Sequence, residues 1–213
     1  MGKLKVSYLP HPIVSVEERH QYLPEILLKE FDTEIFDRSK DALSQLKERE
    51  VIVDLGGNIE PELVDVAAEA GIKYIQVQTN GLDHVEVERI IEKEMILAHC
   101  PGHLSSVSLA EGAMMFILML AHDYGNATDQ FYAGTVFSAN GLEVEGRTLT
   151  IVGFGASGQQ LARRAKAFGM KINAIDVRPI EQEILDEIQP DFLGGPEDLD
   201  GAIGDCDFLS VHL

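Results

Sequence analysis

The six residues Gly153-Phe154-Gly155-Ala156-Ser157-Gly158 constrain the fold of this chain more than any other segment. A strand-like run, Thr148–Val152, leads directly into them. A helical pattern, Ala156–Phe168, leaves them with Leu161, Ala165 and Phe168 on one face and Gly169 as its stop. Gly153 permits a tight turn, Gly155 allows close approach of a pyrophosphate, and Gly158 lets helix and strand pack tightly. Ala156 and Ser157 open the helix, whose N-terminal N–H groups and dipole favour an anion. The next strand, Lys171–Val177, carries Asp176 at its end, near the ~20-residue spacing at which an acid meets ribose hydroxyls. A carboxylate there accepts hydrogen bonds from a diol and repels a 2′-phosphate, which favours NAD over NADP. Arg178 keeps NADP open, because a cation nearby is able to accept that phosphate. The competing explanation is a βαβ turn whose glycines serve packing alone.

The first hundred residues alternate in the same way. Strands are predicted at Lys5–Leu9, Thr33–Phe36, Val51–Leu55, Tyr74–Val77 and Met95–His99. Helical patterns lie between them at Val16–Phe31 (broken or restarted by Pro24), Lys40–Glu48, Pro61–Ala70 and Val85–Lys93. Alternation of this kind argues for parallel sheets covered by helices on both faces. Pro101 and Gly102 punctuate the chain, and Ser105, Ser106 and Ser108 offer caps for a helix running to Leu120. From Ala113 that helix is apolar on every side, so it needs cover from two domains or a partner subunit. Its methionines suit core packing better than a soft ligand site. Asp123–Glu145 shows no clear period and reads as an arm. Downstream come a helix at Pro179–Ile188, a loop around Gly194-Gly195-Pro196, and a strand at Asp207–Val211.

Composition excludes several classes. With 17 basic and 36 acidic side chains the net charge is -19, which repels nucleic acid and anionic membranes and requires any dinucleotide site to be locally positive. The apolar run Ala113–Ala121 is about half the ~20 residues that span a bilayer, and the N-terminus reads directly as a strand. Cys100 and Cys206 are too few for a disulfide framework, and a cytoplasmic location is expected. His99-Cys100-Pro101-Gly102-His103 lacks a defined tetrahedral spacing, so no metal site is expected there. His84 reads as a surface residue at a helix start, and Glu111 as structural.

At these residues the chain resembles the D-isomer-specific 2-hydroxyacid dehydrogenases. The likeness extends beyond the glycine turn to Gly146-Arg147-Thr148-Leu149, to Ala165-Lys166-Ala167-Phe168-Gly169-Met170, and to Cys206-Asp207-Phe208-Leu209-Ser210-Val211-His212 as a third cofactor strand. Upstream, Thr79-Asn80-Gly81-Leu82-Asp83 is similar to the substrate-side turn and Ser108-Leu109-Ala110-Glu111 to the start of the inter-domain helix. The resemblance implies an α/β chain with a flavodoxin-like substrate domain at 1–104 and a Rossmann NAD-binding domain at 105–213, with a cleft between them. It also implies hydride transfer between NAD(H) and a small 2-hydroxy or 2-oxo acid, and a homodimer. Backbone N–H groups of Asn80 and Gly81 would then hold the substrate carboxylate, although Asn-Gly is also simply a good turn dipeptide. Ser108 and His212 join Gly153, Gly155, Ala156, Ser157, Gly158 and Asp176 as the implied cofactor-binding set. Where a phosphoglycerate-oxidising relative would carry a cation, this chain has Asp54, which argues for an unphosphorylated substrate.

The family's arginine, glutamate and histidine lie beyond its third cofactor strand, and no residue here matches them, so no catalytic residue is assigned. The chain is therefore expected to be C-terminally truncated, with an incomplete Rossmann sheet ordered 3-2-1 and Thr148–Val152 as an exposed edge. A non-catalytic NAD-binding or interaction module remains the rival reading. An enzyme of the same architecture acting on formate or phosphite is a third.

Overall fold

The computed structural model describes residues 2–56, 58–135 and 140–213. Gly57 and residues 136–139 of the expected arm lie outside the described residues. The chain divides into two compact units, Met1–Pro101 and Gly102–Leu213. The division precedes the expected 104/105 boundary because the 3-10 turn Gly102–Leu104 belongs to the second unit, where the Ser106 hydroxyl donates to the His103 carbonyl at 2.9 Å.

The first unit contains β1 (Lys5–Leu9), α1 (Val14–Arg19), α2 (Tyr22–Glu30), β2 (Asp32–Ile35), α3 (Ala42–Leu46), β3 (Val51–Asp54), α4 (Pro61–Ala70), β4 (Tyr74–Val77), α5 (Val87–Glu92) and β5 (Ile96–His99). All pairings are parallel in the order β2-β1-β3-β4-β5, the flavodoxin-like arrangement. Period-2 alternation sorts the side chains. Val6, Tyr8 and Val53 pack with Leu27 on one face, and Leu9, Ile52 and Ile75 pack with Val64, Ala67 and Ile90 on the other. Local chemistry bounds the helices. Pro61 starts α4, and Gly71 ends it in the left-handed region (φ 91°), its N–H reaching the Ala67 and Ala68 carbonyls. Pro24 does not make the break in the first helical pattern. It lies in the first turn of α2, where a missing N–H costs nothing, and the break falls just upstream.

The second unit contains α6 (Ser106–Ala121), α7 (Tyr124–Tyr132), β6 (Thr148–Val152), α8 (Ala156–Ala167), β7 (Lys171–Ile175), α9 (Gln182–Ile188), β8 (Phe192–Gly194), α10 (Leu199–Gly204) and β9 (Phe208–Val211). Its sheet is parallel in the order β8-β7-β6-β9, which corrects the sequence reading in two places. Phe208–Val211 is the fourth strand of this unit, and the third is β8, a three-residue strand that the sequence offers only as the approach to a loop. β6 is consequently no edge. Leu149 pairs with Ile172 of β7 on one side and Phe208 of β9 on the other. The order 3-2-1-4 places β6 centrally, with Leu149, Thr150 and Ile151 all 0% exposed. Thr150 is satisfied by donating to the Ala202 carbonyl at 2.7 Å.

The segment read as an arm starts with helix α7. Helix α6 is covered within its unit along one stripe only. Ser106, Ala110, Met114, Ile117 and Ala121 are buried, whereas Leu109, Phe116 and Leu120 are 56%, 59% and 73% exposed. Among the described residues no single helix is long and apolar enough to cross a membrane.

Candidate functional site

The carboxyl end of β6 runs into the glycine turn, and three glycines meet three different surroundings there. Gly153 has φ +91°, and a Cβ on it would strike the His212 carbonyl oxygen. A Cβ on Gly158 would strike the Gly153 carbonyl oxygen. Gly155 is different, because a Cβ on it would meet no backbone, and its nearest neighbour is Nη2 of Arg178 at 3.4 Å. The first and third glycines are thus required by the chain itself, while the second leaves an open approach to the backbone. Gly155 also caps the twelve-residue helix α8 without a side-chain hydrogen bond, and the first turn holds no acidic residue. The N–H groups there and the positive end of the helix dipole remain available to an anion.

Asp176 follows β7 and turns back onto the same loop. One oxygen, Oδ2, accepts the Phe154 N–H at 2.8 Å, while Oδ1 accepts the Arg178 N–H at 2.9 Å and Nε at 3.3 Å. The side chain is only 5% exposed. Burial alone would push this carboxyl up, but the donors from Arg178 and Phe154 outweigh it and hold the group below the usual carboxylate range. His212, just past β9, lies 3.1 Å from the Ser157 hydroxyl through Nδ1 and 2.9 Å from the Ser210 hydroxyl through Nε2. Burial lowers its pKa, so the ring is held towards the neutral form.

These groups surround a cavity of about 440 Å³ at the carboxyl ends of β6, β7 and β9, lined by Gly153, Gly155, Asp176, Arg178, Leu199 and His212 among others. The structure therefore brings Gly153, Gly155, Ala156, Ser157, Gly158, Asp176 and His212 together. Ser108 does not join them. It is exposed in the first turn of α6, and its hydroxyl donates to the Ser105 carbonyl at 3.0 Å. Pro196 and Leu199 of the cavity wall were not legible as site residues. They follow β8, and recognising a third strand there would have placed them beside the end of β7.

In the first unit, Asn80 and Gly81 form an exposed turn after β4. The Asn80 carbonyl lies 3.0 Å from His99 Nδ1, and the Gly81 carbonyl accepts the Thr79 hydroxyl at 2.8 Å. The N–H groups of both residues lack an intramolecular acceptor among the described residues. A separate cavity of about 570 Å³ opens at the carboxyl ends of β1, β3 and β4, lined by His11, His20, Gly56, Gln78, Thr79 and His84 among others.

Asp54 departs from its sequence reading. It is fully buried, with Oδ2 accepting the Gly56 N–H at 2.8 Å and lying 3.5 Å from His84 Nε2. A carboxylate spent on its own loop and on a neighbouring imidazole is not presented to repel a phosphate. His84 is correspondingly not a plain surface residue, since its side chain is 22% exposed and packed beside Asp54. Among the described residues no group of three or more His, Cys, Asp or Glu side chains converges as metal ligands, and Cys100 donates to Gln78 Oε1 at 3.6 Å.

Residues 114–213 match the family model for the NAD-binding domain of D-isomer-specific 2-hydroxyacid dehydrogenases. A curated hydroxypyruvate reductase from Thermotoga maritima is 34% identical over 164 residues, covering 76% of this chain and 46% of that protein. Residues 114–213 thus form a domain of the D-isomer-specific 2-hydroxyacid dehydrogenase NAD-binding family. A glyoxylate reductase from Thermococcus litoralis is 29% identical over 182 residues, 80% of this chain and 52% of its own length. The crystal structure of D-lactate dehydrogenase from Aquifex aeolicus, complexed with NAD and lactic acid, matches with a TM-score of 0.79 at 25% identity, covering 98% of this chain and 60% of that one. The chain spans about a third to a half of the length of the curated relatives it matches first. Its NAD-binding domain falls within the second unit, around the open backbone at Gly155.

Proposed function

We propose that this chain carries the cofactor-holding and substrate-holding elements of an NAD-dependent oxidoreductase acting on a small 2-hydroxy or 2-oxo acid. The observation that carries the reading is the pairing of an open Gly155 backbone at an uncapped helix N-terminus with a buried, ionised Asp176 at the end of the neighbouring strand. In this reading the N–H groups of Gly155, Ala156 and Ser157 hold the pyrophosphate and Asp176 accepts the adenosine ribose hydroxyls. Gly153 and Gly158 keep the turn tight enough for both, and His212 orients the Ser157 hydroxyl beside it. Bound NAD would supply the hydride acceptor. In the first unit, as the substrate domain, the N–H groups of Asn80 and Gly81, which have no acceptor among the described residues, are two donors for a substrate carboxylate.

No described arginine, glutamate or histidine is assigned to clamp the substrate or move its proton. The 213-residue chain is therefore expected to bind NAD without reducing glyoxylate, hydroxypyruvate or pyruvate with NADH. The second copy of a homodimer is the proposed partner, supported by the exposed apolar stripe Leu109, Phe116 and Leu120 on α6.

Calorimetric titration with NAD tests the cofactor assignment, and Gly155→Val is the informative variant. Gly155 has an extended backbone (φ -78°, ψ -158°) with room for a Cβ, so the variant is expected to fold. Its side chain would fill the pyrophosphate approach, and NAD affinity should fall at least about tenfold, the scale of one charge-assisted hydrogen bond. A folded wild-type chain with no affinity for NAD, or a Gly155→Val chain that binds as well as wild type, would sink the reading.

A further inference from the structure

We propose that the site accepts NADP nearly as well as NAD, and that Arg178 is the residue that admits the 2′-phosphate. The inference rests on the dinucleotide reading above and concerns which dinucleotide the site takes. A carboxylate at the end of the second strand ordinarily rejects a 2′-phosphate by charge. Here that charge is already matched within the chain, because Asp176 Oδ1 accepts both the backbone N–H and Nε of Arg178. The ion pair is lopsided in its exposure. Asp176 is 5% exposed, whereas the Arg178 side chain is 67% exposed. An incoming phosphate therefore meets the cation first and the acid from behind it.

The guanidinium also has donors to spare. Nε faces Asp176, and neither Nη atom has an intramolecular acceptor among the described residues. Nη2 extends over the turn to 3.4 Å from where a Gly155 Cβ would stand, so the free end of the fork lies between the ribose-binding acid and the pyrophosphate cradle. A planar guanidinium presents paired N–H groups that match phosphate oxygens. In a chain of net charge -19, an exposed guanidinium on a cavity wall that is otherwise mostly apolar, with Asp176 its one acidic member, is a local reversal of sign. NAD loses nothing by this arrangement. Oδ1 already takes two donors, but Oδ2 takes only the Phe154 N–H, so its second lone pair can accept a ribose hydroxyl while Asp176 keeps its internal donors.

The test is calorimetric titration of the full chain with NAD and with NADP, for wild type, Arg178→Ala and Arg178→Lys, each checked for folding by circular dichroism. Wild type should bind the two dinucleotides within about tenfold of each other. Arg178→Ala should lose at least about twentyfold for NADP and less than about threefold for NAD, since it removes a charge-assisted contact made only to the 2′-phosphate. Arg178→Lys, which keeps the charge without the fork, should recover part of the NADP affinity. The proposal is overturned if wild type binds NAD but discriminates against NADP by a hundredfold or more. It is also overturned if Arg178→Ala weakens both dinucleotides equally, the signature of a merely structural role, or changes neither. Absence of binding to both nucleotides by folded wild type would instead remove the cofactor reading on which this one depends.

Discussion

At the scale of single residues, three glycines within a six-residue turn do different work, and substitution separates them. Gly158→Ala forces a methyl into the Gly153 carbonyl and should cost about 1–3 kcal/mol of stability, the usual scale of overpacking. Gly155→Ala meets only the tip of Arg178 and should leave denaturant unfolding nearly unchanged. The sequence assigns each a separate role; the His212 carbonyl, the Arg178 guanidinium and the Gly153 carbonyl beside them decide what a Cβ costs at each. The titratable groups give a second check. Because burial lowers the pKa of His212, the folded chain binds fewer protons than the unfolded one once pH falls below the ordinary value of about 6.5. That contribution to stability is complete above about 6.5 and declines on acidification through that point. Asp176 is depressed too, and its contribution is present above the ordinary carboxylate value and lost as pH falls through the lower folded one. Ring NMR of His212 should show a midpoint below 6.5, and a normal midpoint would contradict the burial argument. Asp54 belongs at this scale as well. Its charge was legible, but its burial beneath Gly56 and His84 was not, because burial is a property of neighbours distant in sequence.

Among the elements, α6 shows how far period alone reaches. An all-apolar run fixes the helix but cannot say which stripe its own unit covers. Met114, 5% exposed, is packed with Leu149 and Phe154 in the second unit's core, and Met114→Ala should cost about 2–5 kcal/mol in denaturant unfolding. Leu120, 73% exposed, should change monomer unfolding by less than about 0.5 kcal/mol when replaced by Ala. If a second copy covers that stripe, Leu120→Asp will shift sedimentation towards the monomer. A wild-type chain that sediments as a monomer argues against the dimer directly. The strands tell a similar story. Lys5–Leu9, Tyr74–Val77 and Thr148–Val152 fall where alternation and apolar runs put them, since those signals are local. β8 escaped because three residues between Asp191 and Gly195 are too few to show any period, and its identity comes from pairing Asn173 with Phe192. α10 escaped for a related reason, as Gly201 and Gly204 make it read as loop.

For the whole molecule, the decisive property is that each unit closes its own core. The core of the second unit runs from Ala110 to Ile188 without drawing on the first hundred residues. Residues 102–213 expressed alone should therefore fold cooperatively and bind NAD within about threefold of the full chain, because every group around the glycine turn lies inside that unit. Loss of folding or of binding in that fragment would mean the units depend on each other. β6 sits inside its sheet, so its amides should be among the slowest to exchange, while the outward-facing amides of β9 exchange faster. Exchange of β6 at edge-like rates would contradict the 3-2-1-4 order.

The α/β class, the parallel alternation, the glycine turn and the acid that answers it were all legible in the sequence, because each is written in turn chemistry or in a period spanning a few neighbouring residues. Tertiary structure alone decided that β9 crosses to the far side of β6, that Asp54 is buried, that only one stripe of α6 is covered, and that Arg178 leans over Gly155. Each of those depends on which distant backbone passes nearby, and no local pattern encodes that.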